Sequence, residues 1–249
     1  MKIPFIGNVM KKSKCDVVYV YKQQKNEEEL RYSIRSVCKN FPHRNIYIVC
    51  DKRPRWANEN LKCILVESKK DKYYDVNNKL IKACDTDDIS DNFWLFNDDF
   101  FILKEMYDNQ KNYFEGLLED KLELLKQRKN VDSNYFERLA FLENYCFTTY
   151  DKPPLNFELH RPFRYNKRLL KEVLSTDIKC AGRNSLYGAC TEGNPNTAKV
   201  SYGHDYKIYG LNDKIDITKD VVSTSNLAFI GHAGRIIKQM FPERSIYEN

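Results

Sequence analysis

The sequence predicts an α/β fold: a single domain built on a mostly parallel central sheet and carrying a helical insertion. Three observations predict it. Short runs of β-branched and aromatic residues alternate with segments of helical period through the first hundred residues. Those runs are apolar on both faces, as strands buried in a parallel sheet must be. A block of long helical side chains then interrupts the alternation between Asn109 and Tyr150.

From Asp16, DVVYVY reads as a strand, and Leu30, Ile34, Val37 and Phe41 follow at steps of 4, 3 and 4, the spacing of one helix face. Pro42 stops that helix, and NIYIVCD (Asn45 to Asp51) is an apolar run of strand length ending in an acid. Strand, helix, strand with both strands apolar throughout gives a parallel pair covered on both faces. CILVES (Cys63 to Ser68) reads as a third strand, NNKLIKAC (Asn77 to Cys84) as a short helix, and FWLFNDDFFIL (Phe93 to Leu103) as another buried strand. Residues 1–103 form an α/β half suited to a nucleotide. Residues 104–152 form the insertion, a helical pair with Tyr113, Leu117, Leu118, Leu122 and Leu125 on one side and Tyr135, Leu139, Leu142 and Cys146 repeating the pattern. After the linker DKPPL, residues 153–249 form an acceptor-side and C-terminal part in which NFELHRPFRY is extended and NKRLLKEVL helical, with Asn166 as its N-cap. Gly182, Gly188, Gly193, Gly203, Gly210, Gly231 and Gly234 cluster here and predict flexible, ligand-facing loops.

A chain of 249 residues with 42% hydrophobic and 31% charged residues, 9 Gly and 8 Pro is neither disordered, nor collagenous, nor a repeat array. Its length lets it bury about 70 to 75% of its unfolded surface without a staple, so a metal would serve chemistry. A net charge of +6 suits anionic ligands such as nucleotide phosphates and is compatible with DNA without requiring it. The 8 Cys (15, 38, 50, 63, 84, 146, 180 and 190) fall in apolar runs with no CxxC pair, as buried free thiols of a reducing cytosol do. The N-terminal MKIPFIGNVMKKSKCD is interrupted by Lys2, Pro4, Gly7 and Asn8 and makes a poor signal peptide, and no stretch approaches the roughly 18 apolar residues of a membrane span. A cytoplasmic location is expected.

The sharpest chemical signal is Asn97-Asp98-Asp99 directly after FWLF, because ligands bind where parallel strands end. Adjacent carboxylates repel unless a cation lies between them or one faces solvent. Hard oxygen ligands select Mg²⁺ or Mn²⁺, which can bridge to a diphosphate; a solvated turn is the plainer alternative. Asp51 ends its strand in the same way and could contact a base or ribose, and Tyr19 or Tyr21 could stack on the base; a strand-end cap and core aromatics are the alternatives. Asn77, Lys79 and Asn97 are further candidates for holding the donor. Arg31 and Arg35, one turn apart, could clamp phosphate or pair with Glu27 or Glu28. His160, in FELHRPF, and His204, in Gly203-His204-Asp205, are the informative histidines: His204 could supply a third metal ligand, and His160 or Asp205 could accept a proton. Arg161, Arg164, Arg168 and Lys171 recur at 3, 4 and 3, a basic stripe if the helix begins before Pro162.

EELRYSIRSVCKNFPHRNIYIVCDKRPRW (Glu28 to Trp56) resembles the hallmark block of the Stealth family of sugar-phosphate transferases. FWLFNDDFF resembles that family's acidic strand end, DVVY its opening block and LHRPFRYNKRLLKEVL its later block with a His, a Pro and a helix. The resemblance implies a GT-A-like (Rossmann-like) domain, a divalent metal on Asp98 and Asp99, and transfer of a sugar or sugar phosphate from a nucleotide donor to a hydroxyl. It implies active-site roles for Asp16, Arg31, His160 and Arg183. Val20-Tyr21-Lys22-Gln23-Gln24 stands where Stealth proteins usually carry a Trp and a Gly, so the bond broken, sugar to phosphate or phosphate to phosphate, stays open. STSNLAF and FPERSIYE resemble the ending of small glycosyltransferase-like proteins of phages and bacteria. The expected function is metal-dependent transfer from a nucleoside-diphosphate sugar to a glycan or to a hydroxymethylated base of duplex DNA. Hexose-1-phosphate transfer to a cell-surface glycan and a non-catalytic binding module are the alternatives.

Overall fold

A computed structural model describes residues 14–107, 111–129, 131–176 and 181–249. The N-terminal segment read as a poor signal peptide lies outside the described residues up to Ser13, as does Cys180. The strands are β1 (Asp16–Tyr21), β2 (Ile46–Cys50), β3 (Lys62–Leu65), β4 (Asn92–Phe96), β5 (Phe100–Ile102), β6 (Asn112–Phe114), β7 (Phe163–Asn166), β8 (Val200–Tyr202), β9 (Lys207–Ile208) and β10 (Val221–Thr224). The helices are α1 (Glu28–Asn40), α2 (Lys72–Cys84), α3 (Leu118–Lys126), α4 (Ser133–Tyr150), α5 (Lys167–Ser175), α6 (Arg183–Thr191), α7 (Asn226–Ile230) and α8 (His232–Met240).

The central sheet runs β3-β2-β1-β4-β7, parallel except for β7, which pairs antiparallel with β4. Both faces of β1 and β2 are covered, as their apolar sequences require. On one side Val17, Tyr19, Ile46 and Ile48 pack with Leu30, Ile34 and Val37 of α1; on the other Val18, Tyr47 and Val49 pack with Leu80 and Ala83 of α2 and the helices beyond it. Burying these side chains contributes roughly 1.5–3 kcal/mol each. Of the helical pair expected between Asn109 and Tyr150, Leu118, Leu122 and Leu125 lie on α3 and Tyr135, Leu139, Leu142 and Cys146 on α4, but Leu117 sits at the N-cap of α3 and Tyr113 lies on β6, paired with β8; Asn166 caps α5 by accepting from the Leu169 N–H (3.2 Å).

Other expectations are corrected as well. Phe93 to Leu103 is two strands: the chain turns at Asn97-Asp98-Asp99, where the Phe100 N–H donates to the Asn97 carbonyl (3.3 Å), and β5 leaves for a second sheet ordered β5-β10-β9. A turn lets two carboxylates stay near solvent where a continuous buried strand would desolvate both. The basic stripe does not form, because the helix starts only at Lys167. Arg161 is buried against Asp220 (2.7 Å), while Arg168 and Lys171 pair with Glu172 (3.8 Å) and Asp85 (2.5 Å). Of the C-terminal glycines expected in loops, Gly188 and Gly234 lie in helices α6 and α8 and Gly182 directly before α6, while Gly193, Gly203 and Gly210 lie outside helices; a Cβ on Gly188 would meet the Phe157 ring at 2.5 Å, and one on Gly182 would meet Leu142 at 2.5 Å and Leu139 at 2.9 Å.

Seven described cysteines are free thiols, and among the described residues no helix is long and apolar enough to cross a membrane.

Candidate functional site

Parallel strands deliver their carboxyl ends to one edge, so Tyr21, Asp51 and the Asn97-Asp98-Asp99 turn arrive together. The loop after β1 ties them: the Gln23 N–H donates to Asp51 Oδ1 (2.8 Å), the Gln24 N–H to the Tyr21 hydroxyl (3.2 Å), and Gln24 Nε2 to Asp98 Oδ2 (3.0 Å). Asn97 is exposed at the turn.

The second sheet explains the surroundings of Asp99. Ser223 on β10 is in register with Lys207 on β9 and with Phe100 on β5, so the residues beside Phe100 meet both side chains. Asp99 Oδ2 accepts from Lys207 Nζ (2.7 Å) and from Ser223 Oγ (2.8 Å). Its Oδ1 is buried with no hydrogen-bond partner. Burial and the neighbouring Asp99 charge raise the Asp98 carboxyl to about 6. Glu29, at the start of α1, accepts from Thr224 Oγ1 (2.7 Å); burial, with Asp98 and Asp99 adding to it, raises its carboxyl to about 7. An excess of acid with an unpartnered oxygen suits a hard divalent cation, and Asp98 and Asp99 are the residues that would hold one. His204 is not part of that set: its Nδ1 lies 2.7 Å from Glu115 Oε1, and among the described residues no group of three His, Cys, Asp or Glu could hold a metal.

A cavity of about 710 Å³ is lined in part by Lys121, Tyr135, His160, Tyr202, Asp205 and Lys207, without Asp98 or Asp99. Lys207 therefore touches both Asp99 and the cavity. His160 and Asp205, remote in sequence, meet here. The His160 N–H donates to Asp205 Oδ1 (3.0 Å), and His160 Nδ1 lies 2.7 Å from Asp205 Oδ2. Burial pushes the Asp205 carboxyl up, but its hydrogen bonds to and attraction for His160 outweigh this and leave it below the ordinary value. Nδ1–H held on a carboxylate leaves Nε2 as the free acceptor of the ring.

Other candidates lie elsewhere. Asp16 opens β1, five residues and roughly 16 Å from its carboxyl end. There it accepts from Arg44 Nε (2.9 Å) and Nη2 (2.6 Å), the Asn45 N–H (3.0 Å) and the Ser90 N–H (2.8 Å), so it fastens the amino edge of the sheet. The Arg31 side chain pairs with neither Glu27 nor Glu28: with Arg35 it grips Glu248. Tyr19 is fully buried, its hydroxyl 2.9 Å from Ser33 Oγ, which makes it a core aromatic. Lys79 is buried on Asp75 (2.6 Å) and Ser68 (3.1 Å) and braces the β3–α2 loop. Asn77 Oδ1 accepts from Arg183 Nη1 (3.3 Å). Glu29, Lys207 and Ser223 had no motif to announce them. Sheet register alone brings Lys207 and Ser223 to Asp99.

No family model matches the sequence, and no curated protein matches it. Among solved structures, the galactosyltransferase LgtC in complex with donor and acceptor sugar analogs is similar over 94% of this chain and 98% of that one, at 9% identity and a TM-score of 0.51. The glycosyltransferase GlyE of Streptococcus pneumoniae TIGR4 is similar over 76% of this chain and 45% of that one, at 10% identity and a TM-score of 0.35. At such identities the likeness is one of fold: an α/β fold with a mostly parallel central sheet, resembling the GT-A fold of LgtC.

Proposed function

We propose that this chain is a glycosyltransferase that takes a sugar from a nucleoside-diphosphate sugar and places it on a hydroxyl of a glycan. The observation that carries the reading is the Asp98–Asp99 turn at the carboxyl edge, with Asp99 Oδ1 buried and unpartnered, joined through Lys207 to the cavity that holds His160 and Asp205. The nucleotide lies along the loop after β1, bordered by Asp51, while Tyr21, buried in the core, supports that loop by accepting from the Gln24 N–H. Mn²⁺ or Mg²⁺ on Asp98 and Asp99 would neutralise the charge that develops on the leaving diphosphate. Lys207, fixed by Asp99, adds a positive charge between the acid pair and the cavity. His160 takes the proton of the acceptor hydroxyl at Nε2, and Asp205 holds the ring in the tautomer that allows it.

A second reading, hexose-1-phosphate transfer of the Stealth type, rests on the Glu28 to Trp56 block. Part of that block has a structural task here: Arg31 and Arg35 hold Glu248, and the Trp56 carbonyl accepts from the Asn249 N–H (3.0 Å). The two readings differ in product. The test is a panel of nucleotide sugars with Mn²⁺ or Mg²⁺, read as nucleotide released. Release of nucleoside diphosphate supports the first reading and release of monophosphate the second. Asp98→Asn and Asp99→Asn should each lower the rate at least about a hundredfold without loss of fold; near-wild-type turnover in both would remove the site. A DNA acceptor would show instead as duplex binding that weakens steeply with salt.

A further inference from the structure

The cavity that holds His160 and Asp205 has a stretch of wall that the proposed chemistry does not use. Tyr202, at the end of β8, and Tyr209, just after β9, both line it, and they are 57% and 53% exposed. An aromatic side chain offers roughly 150–250 Å² to whatever covers it. Two such rings standing open in a cavity wall give a ligand with a flat apolar face a place to settle.

Tyr202 is held as well as exposed. It is the cross-strand partner of Phe114, its ring 5.8 Å from that ring at 86°. The His204 imidazole lies 5.3 Å from it at 88°, and His204 Nδ1 is in turn 2.7 Å from Glu115 Oε1. Two perpendicular neighbours fix the plane of the Tyr202 ring, which gives His204 a task outside the metal set. The backbone that carries Tyr209 is tied too: Ser225 Oγ donates to the Tyr209 carbonyl (2.6 Å) and the Ser225 N–H to the Ile208 carbonyl (2.8 Å). Groups already held in place lose little freedom when a ligand settles on them.

The rest of the lining limits what that ligand can be. Among the described residues the carboxylates Glu115, Asp120, Asp132 and Asp205 line the cavity. Against them stand the cations Lys121, Arg128 and Lys207. Charges so nearly balanced select neither a polyanion nor a polycation. They do supply acceptors and donors side by side, and a hydroxyl is the neutral group that uses both. A sugar ring combines a C–H face with a rim of hydroxyls. Nucleic-acid bases also stack on aromatic rings, but their backbone needs a positively charged groove, which this cavity is not. A volume of about 710 Å³ lies well inside the span of about 300–1,000 Å³ typical of ligand sites and leaves room for more than one ring.

We propose that Tyr202 and Tyr209 form an aromatic platform on which the rings of a neutral acceptor oligosaccharide stack, with one of its hydroxyls at His160 Nε2. The word acceptor rests on the transferase reading; stacking of the oligosaccharide does not. The test applies the full chain, in chelator and without nucleotide, to an array of neutral, sialylated and sulfated glycans. The best-bound neutral glycan, its terminal monosaccharide and a single-stranded oligothymidylate are then titrated calorimetrically. Neutral oligosaccharides should bind in preference to acidic ones, and at least about fivefold tighter than the monosaccharide. Binding should fall about tenfold or more in Tyr202→Ala and in Tyr209→Ala, and stay within about twofold of wild type in Tyr202→Phe and Tyr209→Phe, which keep the ring. Unchanged melting temperatures show that the variants fold. Binding of no neutral glycan, preference for acidic glycans or for the oligothymidylate, wild-type affinity in both alanine variants, or equal losses in the phenylalanine variants would each overturn the platform. Asp99→Asn should bind the glycan as wild type does. Nucleoside-diphosphate binding in Mn²⁺, measured on the same samples, reports on the transferase reading separately.

Discussion

At the scale of single residues, the same side-chain chemistry serves opposite ends. Glu248 is buried and Asp98 partly buried, yet their carboxyls move in opposite directions. Burial alone would push Glu248 up, but hydrogen bonds from Arg35, the Ser245 N–H and Arg31 hold it down at about 2. A carboxyl depressed in the folded state adds stability above its unfolded value of 4.5 and loses it as pH falls toward about 2. Glu248→Gln should therefore cost about 2–3 kcal/mol at neutral pH, read by urea unfolding, with the difference from wild type shrinking in that acid window. An unchanged midpoint would mean that the clamp contributes nothing. Asp98 has the reverse sign. Raised to about 6, it favours the fold while protonated below about 4 and loses that contribution as pH rises through about 6. A cation competes with that proton. Mn²⁺ should raise the melting temperature more at about pH 7 than at about pH 5, and Asp98→Asn should abolish the difference.

At the scale of elements, legibility follows the range of the physics. The alternation of apolar strands with a 4-3-4 helix face is local, and β1, α1 and β2 lie where that pattern puts them. The cap of α5 is equally local, one Asn side chain accepting one N–H. The break between β4 and β5 was hidden, because apolar residues flank Asn97-Asp98-Asp99 on both sides and a run of that length also describes one strand. What the glycines do was hidden for a different reason: composition reports permissiveness, and Gly188 is required by a ring from another element. Gly188→Val should destabilise by several kcal/mol through its clash with Phe157, whereas Gly193→Ala, with nothing within 4 Å, should cost only the strain of its positive φ. Equal losses from the two substitutions would contradict this account of the α6 packing.

At the scale of the whole molecule, topology makes the site. A parallel sheet gathers Tyr21, Asp51 and Asp98 at one edge, a second sheet hung from the same turn brings Lys207 and Ser223 to Asp99, and the segment before β7 meets the loop before β9 to pair His160 with Asp205. The acid pair and the histidine were readable as residue types; their relation was not, since it depends on contacts over more than a hundred residues. Asp16 and Arg31 resemble a family's motif positions yet fasten the amino edge and the C-terminal tail, which separates the motif from the chemistry at those positions. The central claim is that Asp98 and Asp99 hold a nucleoside diphosphate through a divalent cation. The most direct measurement is calorimetric titration of the chain with UDP and with the other nucleoside diphosphates, in Mn²⁺ and in chelator. Saturable binding of one of them in Mn²⁺, at least about tenfold weaker in chelator and in Asp99→Asn, is the predicted result. Binding indifferent to both metal and Asp99, or no binding of any nucleoside diphosphate, would contradict it.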